Sequence, residues 1–199
     1  MRLILATANA GKAAEIDDVL GSGFELVARP TAVPDVAEDA DTFEGNARLK
    51  ATAVAEATGE PALADDSGLE VDALGGAPGV RSARYAGEGA TAGDNVAKLL
   101  DALSGIPAGA RTARFRCVLV VRWPDGQEVV AASSTEGQIV WEPRGGSGFG
   151  YDPVFAPDDP SARGRTFAEM SPPEKHAISH RGRALRQLAD ALGSPLGPS

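Results

Sequence analysis

Residues 3–20, LILATANAGKAAEIDDVL, change character halfway along. LILAT, residues 3–7, predicts a short buried strand. Residues 13–20 predict a helix with Ile16, Val19 and Leu20 on one side. A strand that turns directly into a helix is the opening unit of an α/β fold. The polar turn between them ends in a glycine–lysine pair, Gly11-Lys12. A Walker phosphate loop needs glycine five residues before that pair and Ser or Thr after it. Ala6 and Ala13 hold those positions, so this is not that loop. What remains is a helix start whose first N–H groups point at the turn, a place that attracts anions. Lys12 adds a full charge there, and Thr7 and Asn9 add short polar side chains. An ordinary strand-to-helix connection with a surface lysine has the same pattern.

Outward from that stretch, residues 24–28 predict a second strand. Thr42 is a good N-cap for a helix over Phe43–Thr58, stopped by Gly59 and Pro61. PALADDSGL is a strand that runs into two aspartates. Residues 75–91 are glycine-rich and predict a long loop, and residues 92–103 predict an amphipathic helix. Residues 111–123 predict a long strand, folded back by Pro124-Asp125-Gly126 onto residues 128–134. Residues 139–141 extend this antiparallel unit, and VFAP is a further short strand. Ser171, Pro172 and Glu174 make a capping box for a last helix running to about residue 192. The expected architecture is one α/β domain over residues 1–192, two-lobed, with a mixed sheet, a long antiparallel hairpin and a cleft between the lobes. Residues 193–199 form a frayed tail in this reading.

The chain has 199 residues, enough for one sizeable domain, and 43% of them are hydrophobic. Its formal charge of −9 argues against a protein that coats nucleic acid. An anionic substrate must then be met by local cations and a metal. The one cysteine, Cys117, lies in the apolar run FRCVLVV and reads as a buried structural thiol. No signal peptide and no membrane-length apolar run is seen, so a cytoplasmic protein is expected.

Five polar clusters carry the chemistry. The first is TANAGK. In the second, ADDSGLEVDALGG, neighbouring strand residues point to opposite faces. One of Asp65 and Asp66 therefore faces a cleft while the other turns inward onto a lysine. Such carboxylates suit Mg²⁺, which takes one or two of them plus substrate phosphates. A solvated acidic turn is the plain alternative. The third cluster is the acidic segment with Glu38 and Asp39, followed by TFEGNARLKA. Its Lys50 is either a surface lysine or an aspartate's partner. In the fourth, GSGFGYDPVF, Phe149 and Tyr151 either form a base-stacking shelf or cap the core. The fifth is EKHAISHRGRAL, with Lys175, His180 and Arg181. On one unbroken helix Lys175 and Arg181 would sit about 240° apart, so they converge better if Ser179 starts a fresh turn. His176 and His180 are four apart but lack a third linked ligand, which speaks against zinc.

Taken in chain order, ATANAGKAAE, TFEGNARLKA, ADDSGLEVDALGGAPGVRSARYAG, GFGYDPVF and EKHAISHRGRAL together resemble the inosine triphosphate pyrophosphatase family, hydrolases of noncanonical purine nucleoside triphosphates. The resemblance runs from Leu3 to Leu192, and ADDSGLEVDALGGAPG and SHR are its most specific parts. It implies an elongated two-lobed α/β homodimer with the active site in the cleft. It implies that Thr7, Ala8, Asn9, Ala10, Gly11 and Lys12 grip the triphosphate. Glu38 and Asp66 hold Mg²⁺, with Asp39 an alternative to Glu38, and Asp66 is also the general base. Ser67 touches substrate, and Phe149, Gly150, Tyr151 and Asp152 form the base pocket. Lys175, His180 and Arg181 contact the purine, while Lys50 and Asp65 support the site. Where the family usually has Glu-Asn, this chain has Gly45-Asn46. The implied reaction is attack of water between the α and β phosphates of ITP, dITP or XTP, releasing a monophosphate and pyrophosphate. A buried donor such as Arg181, or a backbone N–H near it, would donate to the purine 6-oxygen and be left unpaired by adenine. Rival readings are a nucleotide sensor without turnover and a phosphohydrolase of pyrimidine or modified nucleotides.

Overall fold

A computed structural model describes residues 1–193, so the predicted tail lies outside the described residues except for Gly193. Among the described residues six strands hydrogen-bond in the order β2-β1-β3-β4-β5-β6. They are β1 (Arg2–Leu5), β2 (Glu25–Ala28), β3 (Ala62–Val71), β4 (Thr112–Arg122), β5 (Glu128–Ile139) and β6 (Phe155–Pro157). β1 runs parallel to β2, with Leu3 opposite Leu26, and parallel to β3, with Leu5 opposite Leu63. Parallel neighbours need a crossover. Helix α1 (Ala10–Leu20) follows β1, and α2 (Phe43–Thr58) precedes β3. β6 pairs antiparallel with β5, so the sheet is mixed as expected. Helices α3 (Ala92–Ala102), α4 (Pro172–Ile178) and α5 (His180–Ala191) complete the fold.

Local chemistry sets the element ends. The Thr42 hydroxyl accepts the Gly45 N–H at 3.0 Å to open α2, and Gly59, at φ 69°, closes it in the left-handed region. Asp94 and Thr91 form a capping box on α3. The Ser171 N–H donates to Glu174 at 2.9 Å at the start of α4. The β4–β5 turn closes where the Trp123 N–H donates to the Gln127 carbonyl at 2.9 Å, with Gly126 at φ 92°.

Most element ends lie within about two residues of the sequence reading, and the larger differences are local. α1 starts at Ala10 because Asn9 caps it, its side chain accepting the Lys12 N–H. β5 continues unbroken to Ile139 rather than stopping at residue 134. The 75–91 loop holds a short 3₁₀ helix, Gly79–Arg84, tied down by the Ser82 hydroxyl, which accepts the Leu69 N–H. The single last helix of the sequence reading is two helices, α4 and α5, separated by Ser179 in extended conformation (φ −75°, ψ 154°), the residue at which a fresh turn was the alternative.

The chain divides into two units. The first comprises residues 1–66, 117–133 and the chain from Arg181. Its core includes Leu3, Ile16, Leu20, Leu63, Leu119 and Leu185. Cys117 is buried in this core, and burial pushes its thiol up to about 12, an unreactive state. The second unit comprises residues 67–116 and 134–180, with Leu69, Leu99, Phe115, Phe155 and Phe167 in its core. Among the described residues no helix is long and apolar enough to cross a membrane.

β6 presses closely on β5 at Gly137. A Cβ there would lie 2.4 Å from the Ala156 carbonyl oxygen and 2.6 Å from the Phe155 ring. Gly137→Ala is expected to lower stability by about 1–3 kcal/mol through overpacking. Gly105, with no atom within 4 Å of a built Cβ, serves as control. Urea unfolding of the two alanine variants checks this, and equal midpoints would contradict it.

Candidate active site

In the first unit, β3 delivers Asp65 and Asp66 as adjacent residues, so their side chains leave the strand on opposite faces. Asp65 has no exposed side-chain surface. Its Oδ2 lies 3.1 Å from Lys12 Nζ and 3.3 Å from an Arg181 nitrogen. Arg181, also buried, binds Glu15 of α1 through its other nitrogen. Burial alone would raise the Asp65 carboxyl. Lys12, Arg181 and Lys50 outweigh it and hold the group well below the usual carboxylate range. Burial likewise works against the Arg181 guanidinium, and Asp65 and Glu15 keep it firmly protonated.

Asp66 meets a different environment, supplied by α2. Asn46 Nδ2 donates to Asp66 Oδ2 at 3.1 Å, and Lys50 Nζ lies 3.7 Å from Oδ1. The same ammonium donates to Glu38 at 2.6 Å. Burial raises the Asp66 carboxyl, and the Glu38 charge raises it further against the opposing Lys50, Lys12 and Asn46. The Lys50 pKa is raised as well: burial opposes its charge, but Asp65, Asp66 and Glu38 prevail. Asp39 is exposed, whereas Glu38 is half-buried and turned to Lys50.

Beside this cluster the α1 turn is built as a small polar loop. The Asn9 N–H donates to Thr7 Oγ1 at 3.2 Å, and Asn9 Oδ1 accepts the Lys12 N–H at 3.0 Å. Ala8 and Ala10 are exposed and Gly11 is half-buried. First-turn amides have no acceptor inside the helix, so this turn is suited to an anion.

In the second unit, Asp152 and Lys175 form a buried pair, Lys175 Nζ to Asp152 Oδ2 at 2.6 Å. The Phe149 N–H donates to the same oxygen at 2.8 Å. The loop turns at Gly148 and Gly150, at φ 75° and 62°, and a Cβ on Gly148 would strike the Asp152 carboxylate at 2.2 Å. Phe149 is half-buried, with the Lys175 ammonium 5.1 Å from its ring centre. Tyr151 belongs to the core, its hydroxyl donating to the Ser82 carbonyl at 2.9 Å. His180 is buried and stacked on Phe115, with ring centres 4.7 Å apart. Ser67 is half-buried on β3.

Lys12, Glu38, Lys50, Asp65, Asp66 and Arg181 therefore gather in the first unit. Phe149, Asp152, Lys175 and His180 belong to the second. Two residues that do structural work here, Glu15 and Asn46, were given no role in the sequence reading. Glu15 lies three residues after Lys12 on α1, and Asn46 lies four before Lys50 on α2, so helical spacing was the available signal. Among the described residues no three His, Cys, Asp or Glu side chains form a ready metal cage. Glu38 and Asp66, both directed at Lys50 Nζ, are hard oxygen donors. Two such donors fit Mg²⁺, which completes its shell with water and phosphate.

Asp65→Asn removes the buried charge that Lys12 and Arg181 share. The loss expected is about 3–5 kcal/mol, because Lys12 loses its carboxylate partner and the buried Arg181 keeps only Glu15. Denaturant unfolding measures it, and a loss below about 1 kcal/mol would contradict this account of the network.

The chain is similar to known proteins over nearly its whole length. A protein of Desulforamulus reducens named dITP/XTP pyrophosphatase is 49% identical over 195 residues, covering 96% of each chain. The structure of a HAM1 protein from Coxiella burnetii superposes with a TM-score of 0.87 at 42% identity, covering 97% of this chain and 98% of that one. The crystal structure of a nucleoside-triphosphatase, dITP/XTP pyrophosphatase, from Mycobacterium abscessus gives 0.75 at 46% identity, covering 94% and 98%. The model of the Ham1 family matches residues 3–191, and with this agreement of sequence and fold the chain belongs to the Ham1 family.

Proposed function

We propose that this chain is a Mg²⁺-dependent nucleoside triphosphate pyrophosphatase. It hydrolyses ITP, dITP and XTP to the monophosphate and pyrophosphate and so keeps them out of DNA and RNA. The observation that carries this reading is the split between adjacent aspartates. Asp65 is neutralised inward by Lys12 and Arg181, while Asp66 is held ready beside Glu38 and Lys50. Relatives named dITP/XTP pyrophosphatase, about half identical to this chain, give the substrate class.

The residues divide the work. Thr7, Asn9, Lys12 and the amides of the α1 start bind the triphosphate. Charge that builds on the leaving pyrophosphate is met there by a cation and by oriented N–H groups, which stabilises the transition state beyond plain binding. Glu38 and Asp66 would hold Mg²⁺, which when bound neutralises phosphate oxygens in a strongly acidic protein. An Asp66 carboxylate oxygen takes the proton of the water that attacks between the α and β phosphates. Its raised pKa favours that role. Ser67, next along β3, touches the substrate.

The base is handled by the second cluster. Phe149 offers a ring face for a purine, and Gly150, Tyr151 and Asp152 complete the loop that presents it. Aromatic stacking of this kind contributes about 1–3 kcal/mol and does not choose a base. Choice needs a donor for the purine 6-oxygen, which hypoxanthine and xanthine carry and adenine replaces by an amine. The expected donor is Arg181 or a backbone N–H near it, and the Arg181 guanidinium also binds Asp65 and Glu15. Lys175, beside the Phe149 ring and paired with Asp152, and His180 contact the purine and close the base side. The homodimer belongs to the same reading and rests on the family resemblance, and the cytoplasmic location is the expectation drawn from the sequence.

A hydrolysis panel tests the proposal. ITP, dITP, XTP, ATP, GTP, dTTP and CTP are offered with Mg²⁺, and pyrophosphate and orthophosphate are assayed separately. Pyrophosphate from ITP, dITP and XTP, with ATP and GTP nearly untouched, is the expected result. Turnover of pyrimidines alone, or tight binding with no release of either product, overturns it.

A further inference from the structure

Asn46 is fully buried at the start of α2, and its amide is bonded at both ends. Oδ1 accepts the Ala40 N–H at 3.0 Å, and Nδ2 donates to Asp66 Oδ2 at 3.1 Å. A backbone N–H can only donate and a carboxylate only accept, so the amide has one orientation that satisfies both. The neighbouring residue adds a steric counterpart. A Cβ on Gly45 would lie 2.7 Å from the Ala40 Cβ, closer than two carbons can approach. Gly45-Asn46 is therefore a seat: the missing side chain lets residue 40 settle on the helix, and the amide bonds it there.

What the seat holds is the chain carrying Glu38. Residues 38–40 belong to no helix or strand, so no ladder of backbone bonds fixes them. Two residues after Glu38, the Ala40 bond ties this segment to Asn46 and, through it, to Asp66. The Glu38 and Asp66 carboxylates both face Lys50 Nζ, at 2.6 and 3.7 Å.

We propose that Asn46 is a positioning residue for the Glu38–Asp66 carboxylate pair, bridging the two through the Ala40 amide, with Gly45 required for the close seating of residue 40. The proposal rests on the reading of that pair as the Mg²⁺ ligands. Outer groups that orient metal ligands commonly change metal affinity or activity by about 10–100-fold when removed.

The test titrates Mn²⁺ by electron paramagnetic resonance in the presence of α,β-methylene ITP. It compares wild type, Asn46→Ala, Gly45→Ala and the Gly45→Ala/Ala40→Gly double variant. Asn46→Ala is expected to weaken Mn²⁺ binding by about 10–100-fold and to lower kcat for ITP far more than it changes KM. Gly45→Ala, which keeps both Asn46 and Asp66, is expected to weaken Mn²⁺ binding too, and removal of the Ala40 methyl in the double variant restores it. Folded Asn46→Ala that binds Mn²⁺ within about threefold of wild type overturns the proposal. Should Asn46→Ala fail to fold, unchanged Mn²⁺ affinity in Gly45→Ala overturns it. Wild type that binds no Mn²⁺ overturns the metal reading beneath it as well, and so separates the two failures.

Discussion

A carboxylate withdrawn completely from water persists in a folded chain only where cations are built around it, since an unpaired buried charge costs several kcal/mol. Asp65 is such a group, and the first unit is arranged to satisfy it. Lys12 reaches it from α1 and Arg181 from α5, while Glu15 of α1 takes the other side of Arg181. Two acids and two bases alternate in space, although they come from positions 12, 15, 65 and 181 of the chain. The network joins one strand to two helices, and it sets where the Lys12 ammonium stands relative to the anion-ready start of α1.

The constraint on Asp65 also decides what Asp66 can do. Strand geometry sends neighbouring side chains to opposite faces, so satisfying one aspartate inward turns the other to the opposite face of the strand. Asp66 instead meets Asn46 and Lys50 of α2. It keeps a raised pKa and the company of Glu38, which is the setting proposed for metal binding and proton transfer. The second unit uses a related device. There the buried Asp152 carboxylate collects the Lys175 ammonium and the Phe149 N–H, and so fixes the loop that presents an aromatic face.

Much of the fold was legible because local signals agreed with the tertiary outcome. Thr42, Gly59 and Ser171 stand at element ends where cap chemistry dictates them, and the strand-turn-helix opening announced an α/β sheet. Boundaries were misjudged where tertiary contacts overrode local composition. β5 runs on through Ser134, Thr135 and Gly137, residues that read as a strand end, because β6 pairs with Gly137–Ile139. The cluster at EKHAISHRGRAL showed its residue types but not their allegiance. Lys175 and Arg181 fall in different units because Ser179 interrupts the helix, and an amphipathic pattern does not report which carboxylate a buried arginine will find. Glu15 and Asn46 escaped notice for the same reason. Each is an ordinary helix residue in sequence, and its importance comes from a partner far along the chain.

The claim on which the account turns is that Asp65 and Asp66, adjacent and chemically identical, do separate work. Asp66→Asn measures this most directly, since the amide keeps the size of the side chain and removes its charge and basicity. Single-turnover hydrolysis of ITP and denaturant unfolding would be followed on the same preparation. The account predicts an unfolding midpoint close to wild type with turnover lower by several orders of magnitude. Near-normal turnover would contradict it and place the base on another residue.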